Sequence, residues 1–255
     1  SPAGTREWTV ICGSSTSDWA AGIACRNQTL AVGGTTYGVI GPGPSKGELD
    51  YFVAAYSTGG VHSTAVSGGS YTDDYASDVG LDNSGNIYLA GYSYGGYRGT
   101  FEGQTNNGIT DVYVVKYSAA GARQWTRMLG TPRGDFARGI DVDVNGYACV
   151  AGFSYGDFGG QANAGLSDAF ALLLSPEGSQ LASDLRGSAN DDFAESVAFD
   201  ATAERVFVGG ESDGAFDLQL NSGGFDAFLL SYAVPEPAAL LGVGMLALSL
   251  SRLRR

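Results

Sequence analysis

Asp-aromatic-Ala occurs four times in this chain: Asp18-Trp19-Ala20, Asp74-Tyr75-Ala76, Asp135-Phe136-Ala137 and Asp192-Phe193-Ala194. The steps between them are 56, 61 and 57 residues. A glycine follows in each register, at Gly34, Gly91, Gly152 and Gly210. An Asp then opens an apolar run, at Asp50, Asp111, Asp168 and Asp226. Self-similarity at a fixed period means one supersecondary unit is reused, because a single unit cannot bury its own apolar face. Any fold for this chain must therefore be assembled from four like pieces.

Each piece reads as four strands. In the second, residues 76–82 alternate apolar with small or polar side chains, and Asn83-Ser84-Gly85 supplies a tight turn. Strands follow over 86–91, 111–117 and 123–129. The third strands are nearly continuous apolar runs, as in Ala169 to Leu174, which suits a sheet covered on both faces. The expected fold class is all-β: a β-propeller of four-stranded blades, with four blades visible and a short hydrophobic helix after them. The units span about 18–73, 74–134, 135–191 and 192–232. The last lacks a fourth strand, and Glu7 to Cys12 matches Gln124 to Leu129. The N-terminal strand over 7–12 is thus expected to close the last blade and remove two exposed edges. Repeats of this kind more often build larger rings, so upstream blades are a second reading.

The order Asp-aromatic-Ala, Asp-x-x-Gly-Asn-aliphatic-Tyr, Asp-x-aromatic-aliphatic, Gln-Trp resembles the SBBP repeat of bacterial β-propellers over about residues 7–232. The fourth copy departs from it where Ala201-Thr202-Ala203-Glu204 replaces the glycine turn.

The end of the chain is of another kind. Val234-Pro235-Glu236-Pro237 precedes an uncharged run from Ala238 to Leu250, then Ser251-Arg252-Leu253-Arg254-Arg255. The prolines mark the end of the folded domain, which sets the division at 1–233 and 234–255. Thirteen helical residues span roughly 20 Å, short of the about 20 residues a bilayer core needs. Arg252, Arg254 and Arg255 would snorkel and stay on the cytoplasmic side. The alternative is a buried core helix ending in arginine. Pro235, Glu236 and Pro237 with the greasy run and basic end resemble the PEP-CTERM sorting tail of exported bacterial proteins. That resemblance implies an exosortase-type sorting enzyme as partner, transient residence in the inner membrane, and cleavage near the prolines. It also implies a Gram-negative, exopolysaccharide-making source. Localisation would be periplasm, cell surface or extracellular matrix. The chain carries no initiator Met and no signal peptide, so the expectation is a chain whose leader has been removed, or a fragment.

Net charge is −13, and the tail contributes +2, leaving −15 on residues 1–234. Phosphate backbones need Lys and Arg, so nucleic acid is excluded as a partner. Forty glycines in 255 residues exceed the usual share of about 7%, in keeping with many short strands and turns. Cys12, Cys25 and Cys149 show no zinc spacing. Cys12 and Cys25 flank one turn, and two readings stand: a disulfide, or two buried thiols.

Long loops after the second strands carry Tyr92, Tyr94, Tyr97, Phe101, Phe153, Tyr155 and Phe158. Tyr92, Tyr94, Tyr97, Tyr155 and Phe158 are candidates for a ligand rim that stacks on sugar rings; the alternative is that these rings pack the loops. Asp18, Asp74, Asp135 and Asp192, with the strand-opening Asp50, Asp111, Asp168 and Asp226, reach the same face and are candidates for a calcium-binding mouth. The alternative, which repetition favours, is that each specifies its own turn. No other cofactor is expected. His62 is the only histidine, and neighbours such as Asp73-Asp74 and Asp191-Asp192 point to opposite sides of an extended chain. No catalytic residue set is visible. Asn27-Gln28-Thr29 is a formal glycosylation sequon on a turn. The expected function is an exported binding or structural propeller, with polysaccharide as candidate partner. The alternatives are a secreted carbohydrate-active hydrolase or lyase on the same scaffold, and a matrix component with no small ligand.

Overall fold

The fourfold sequence period becomes a fourfold stack of sheets. The computed structural model describes residues 4–42, 45–94, 100–200 and 202–234. Among them there are strands and turns and no helix. The first sheet is a meander of β1 (Asp18–Arg26), β2 (Thr29–Thr36), β3 (Asp50–Ser57) and β4 (His62–Gly68). The second holds β5 (Asp74–Leu81) and β6 (Ile87–Ser93), then β9 (Asp111–Tyr117) and β10 (Arg123–Leu129). A small hairpin, β7 (Thr100–Phe101) with β8 (Gln104–Thr105), fills the loop between β6 and β9. The third is β11 (Asp135–Val142), β12 (Ala148–Ser154), β13 (Asp168–Leu174) and β14 (Gln180–Arg186). The fourth has three strands, β15 (Asp192–Phe199), β16 (Arg205–Ser212) and β17 (Asp226–Ala233). All pairings within the sheets are antiparallel.

The core lies between sheets. Tyr51, Val53, Leu89, Tyr113 and Val115 belong to one cluster joining the first sheet to the second. Tyr88, Val114, Val150, Phe170 and Leu172 join the second to the third. Cys149, Leu173, Val206, Val208 and Tyr232 join the third to the fourth. Every residue of β9 and β13 is buried, because these strands have neighbours on both faces. Three buried tyrosine hydroxyls are paired: Tyr51 and Tyr117 share a 2.8 Å bond, and the Tyr88 hydroxyl donates to the Gly146 carbonyl at 3.0 Å.

Each first strand carries a register shift directly after its Ala landmark. Opposite it sits the landmark glycine, where a methyl group would run into the carbonyl of the residue before that Ala. The repeated glycine is thus the price of a bulge that bends each first strand. The turn after β5 is also repeated. Asp82 accepts the N–H groups of Ser84 and Asn86, both at 2.9 Å, and Gly85 takes a φ of 76°. In the divergent fourth copy Ala203 holds that place at φ 58°.

The expected closure is not formed. Residues 7–12 are not a strand, and β17 pairs with β16 alone. No ladder joins the fourth sheet to the first among the described residues. The segment is held elsewhere: the Trp8 indole N–H donates to the Thr58 carbonyl at 3.0 Å, and its ring lies against Gly60. Trp125 docks the same way on the next sheet's hairpin, donating to the Pro176 carbonyl at 2.9 Å beside Gly178. Residues 7–12 therefore take the place that a preceding sheet's outer strand would have, with Trp8 on the first sheet as Trp125 is on the third. Both end sheets keep an uncovered face, with Leu229 on β17 at 73% exposure and Ile23 on β1 at 68%. The helix expected at the C-terminus lies outside the described residues. Among those described, no helix is long and apolar enough to cross a membrane.

Candidate functional site

The second residue of each first strand is aromatic, and each of the four lies at the same end of its sheet. From these grows a chain of rings that crosses three sheets. Tyr75 stacks on its cross-strand partner Tyr92 at 5.2 Å, and Tyr92 meets Phe136 of the next sheet at 5.0 Å. Phe136 stacks on Phe153 at 5.0 Å, Phe153 meets Phe193 at 4.8 Å, and Phe193 reaches Phe225 at 5.9 Å. Directly antiparallel ring pairs and the steps between sheets alternate, so the chain follows the sheet stack.

Three tyrosines at one repeated position reach solvent, Tyr94 and Tyr155 on this base and Tyr37 against Trp19, with ring centroids 5.5 Å apart. Tyr37, Tyr94 and Tyr155 each follow the hydroxyl residue that ends a second strand. Each donates its backbone N–H to the segment before the first strand: to Ser17, Asp73 and Gly134, at 3.0 to 3.1 Å. Their exposures are 47%, 42% and 38%. Tyr94 lies edge-on to Tyr75 and Tyr92, and Tyr155 edge-on to Phe136 and Phe153. A ring propped by other rings loses little freedom when a ligand covers it. The fourth equivalent is Asp213, whose N–H makes the same bond to Asp191.

Beside Tyr155 lies an open groove of about 420 Å³, lined by Pro132, Arg133, Gly156, Asp157, Asn163 and Gly165. Asn163 is fully engaged in shaping it. Its amide donates to the Ser154 carbonyl, and its oxygen accepts from Gly165. Arg133 is exposed at the groove, and Arg138 lies 5.2 Å over the Phe153 ring. The groove thus sets the exposed Tyr155 beside the Arg133 guanidinium and the Asp157 carboxylate.

The residues singled out from sequence part company here. Tyr92, Tyr94 and Tyr155 share the ring chain. Phe158 does not: it is 3% exposed and stacks on Phe170 at 4.5 Å, in the core between sheets. It plugs the apolar end of its loop, as Phe216 does against Phe228. Phe101 is buried likewise against Tyr113. Tyr97 lies outside the described residues, as do Pro235, Glu236, Pro237, Arg252, Arg254 and Arg255. Tyr37 and Trp19 were missed by sequence reasoning, although the offset from the second-strand hydroxyl would have found Tyr37.

The landmark carboxylates are not a mouth. Asp74, Asp135 and Asp192 are at 0% exposure, each inside its own junction. Asp74 accepts the Ser70 N–H at 2.5 Å, Asp135 accepts the Thr131 N–H at 2.6 Å, and Asp192 accepts the Ser188 N–H at 2.5 Å. Asp18, in the first unit, accepts the Ser14 N–H and the Thr36 hydroxyl, at 2.8 and 2.5 Å. Each locks the turn that enters its sheet. Among the described residues no three His, Cys, Asp or Glu side chains are gathered to hold a metal.

Cys12 and Cys25 are both free, which overturns a disulfide between them. Cys25 is exposed, so the buried-thiol reading fails for it as well. It lines a polar cavity of about 240 Å³ where the four first strands converge. Cys149 is buried, and burial pushes its thiol up to about 12. His62 is exposed on β4 beside Tyr56. Asn27 and Gln28 form the two-residue turn between β1 and β2, both with positive φ. Compared with known proteins, the chain matches no family model and no curated sequence.

Proposed function

We propose that this chain is an exported bacterial β-propeller with a binding role at the cell surface or in the exopolysaccharide matrix. The observation that carries the reading is the repeated tyrosine. Tyr37, Tyr94 and Tyr155 occupy one position in three successive units, each propped and each open to solvent. Repetition of a like contact along an arc suits a polymer of like residues, because each sugar meets the same face. The convergence of the four first strands on a shared cavity supports the propeller reading.

Glycan arrays probed with residues 1–234 are expected to light up on one class of polysaccharide. Replacing Tyr94 and Tyr155 together by alanine should weaken that signal about tenfold, since a stacked ring contributes roughly 0.5–1.5 kcal/mol. Flat signals on every polysaccharide would remove sugar binding from the account.

The address rests on resemblance of the terminal segment to the PEP-CTERM tail. Cells expressing the full chain should release a shortened product from the membrane fraction. Deletion of Pro235-Glu236-Pro237 should leave it uncut and membrane-held. Identical size and location for both forms would defeat the sorting role.

A further inference from the structure

Six buried aspartates meet in three pairs, one at each junction between successive sheets. The third strand of one sheet supplies the first member and the first strand of the next supplies the second. Asp50 meets Asp74, Asp111 meets Asp135, and Asp168 meets Asp192. All six are 0% or 1% exposed. Between each pair runs a glycine, Gly69, Gly130 or Gly187. A single methyl on any of these glycines would lie inside van der Waals contact of one oxygen from both carboxylates. The two acids therefore converge on one point.

The first acid's Oδ2 accepts a backbone N–H in every pair, from Lys46, Asn107 or Ala164, and the second acid's Oδ2 has donors too. The Ser70 N–H serves Asp74, the Thr131 N–H and hydroxyl serve Asp135, and the Ser188 N–H serves Asp192. The oxygens facing them, Oδ1 of Asp50, Asp111 and Asp168, have no hydrogen-bond partner at all. An unpaired buried carboxylate oxygen is costly, and beside a second anion it is costlier. The same defect occurs three times at equivalent places. A metal does not answer it, since a hard cation wants six to eight oxygens and each junction offers one carboxylate pair.

We propose that each of the three junctions is a proton-binding site, in which one carboxyl group of the pair stays protonated and donates to its neighbour. The shared proton satisfies the orphan oxygen and halves the buried charge. It makes the junction a clasp that closes in mild acid and is strained once the proton leaves.

The surroundings agree with this. Burial, with Asp50 beside it, pushes Asp74 up to about 6. Burial, with Asp135 beside it, pushes Asp111 up to about 6. Burial raises Asp135, and burial with Asp192 nearby raises Asp168. The first pair also faces Lys46 and Tyr113, with Glu102 holding both Lys46 and Arg123 at the Gly69 N–H. At the second pair, the one ionisable group acting on Asp111 is Asp135; at the third, the one acting on Asp168 is Asp192. Asp191 turns away to accept the Ser167 hydroxyl. Because the folded values lie above the unfolded one, this stability is fully present below about pH 4 and is lost as pH rises through about 6.

The test follows unfolding of the full chain from pH 4.5 to pH 8, in the parent, in Asp111→Asn and Asp168→Asn, and in the surface control Glu211→Gln. The parent Tm is expected to fall by about 5 °C or more across that range. A general loss of self-repulsion in an acidic chain has the same sign, so the variants decide. An asparagine amide donates where the shared proton would, at every pH. Asp111→Asn and Asp168→Asn should each raise Tm at pH 8 and flatten the profile, while Glu211→Gln should leave its shape unchanged. Profiles that superimpose on the parent, or that drop equally at every pH, overturn the proposal. Infrared spectra of the folded parent supply a readout that does not depend on variants folding. A protonated-carboxyl band should persist at pH 6, where ordinary Asp and Glu side chains are ionised, and vanish by pH 8. Its absence at pH 6 overturns the proposal equally.

Discussion

Replacing Gly152 by alanine is expected to destabilise the protein by about 3 kcal/mol or more, the upper range for overpacking a rigid site. Gly152 lies on β12 opposite the bulge of β11, paired with Ala137. A methyl there would run into the Phe136 carbonyl, and would stand 2.9 Å from Phe170 Cζ and 3.0 Å from Ala137 Cα. Two of those three neighbours are backbone, so no rotamer change relieves them. Gly210→Ala should behave alike, because the methyl would meet the Phe193 carbonyl and the Phe228 ring. Gly209, the adjacent residue on β16, is the internal control. Its nearest obstacle is the Ser196 hydroxyl at 3.5 Å, so Gly209→Ala should stay within about 0.5 kcal/mol of the parent. Urea melts of the three variants would decide it. Equal midpoints for Gly209→Ala and Gly210→Ala would mean that the bulge does not exclude a side chain.

Truncating Phe170 to alanine should cost about 3–5 kcal/mol, the range for emptying a large buried aromatic site. Phe170 is 1% exposed on β13, in the cluster that joins the second and third sheets. Its ring lies flat on Phe158, with centroids 4.5 Å apart and planes 15° from parallel. Sheets on both sides fix the strand, so the cavity cannot collapse fully. Phe158→Ala should lose stability while leaving glycan binding intact, which separates a core ring from the exposed Tyr155. The Phe170 ring also limits Gly152, so the double variant Gly152→Ala/Phe170→Ala should cost less than the two single losses added. Strict additivity in a double-mutant cycle would rule out the contact.

Strand positions were legible because each repeats a local pattern four times. The second unit's expected strands at 111–117 and 123–129 coincide with β9 and β10. The glycine turn at 83–85 was legible too, since Asp82 and Gly85 supply the carboxylate and the positive φ that such a turn needs. The aromatic rim was half legible. Tyr94 and Tyr155 were found by loop composition, yet the same criterion chose Phe158, which fills the core. Loop composition does not say which way a ring faces. The segment 7–12 was correctly phased against β10, but it is not a strand and does not pair with β17. Its Trp8 has a partner on the first sheet, and local sequence carries no information about whether β17 comes near enough to compete.

By itself, the sequence determined four similar all-β units, because strand alternation, turn glycines and landmark acids act over a few residues. Only the tertiary structure decided that Asp50 faces Asp74, that the ring chain crosses from Tyr92 to Phe136, and that the end sheets do not join through a ladder. Those outcomes depend on how one sheet is placed on the next. That placement is set by the sum of many weak packing contacts between residues far apart in the chain, which no local pattern specifies.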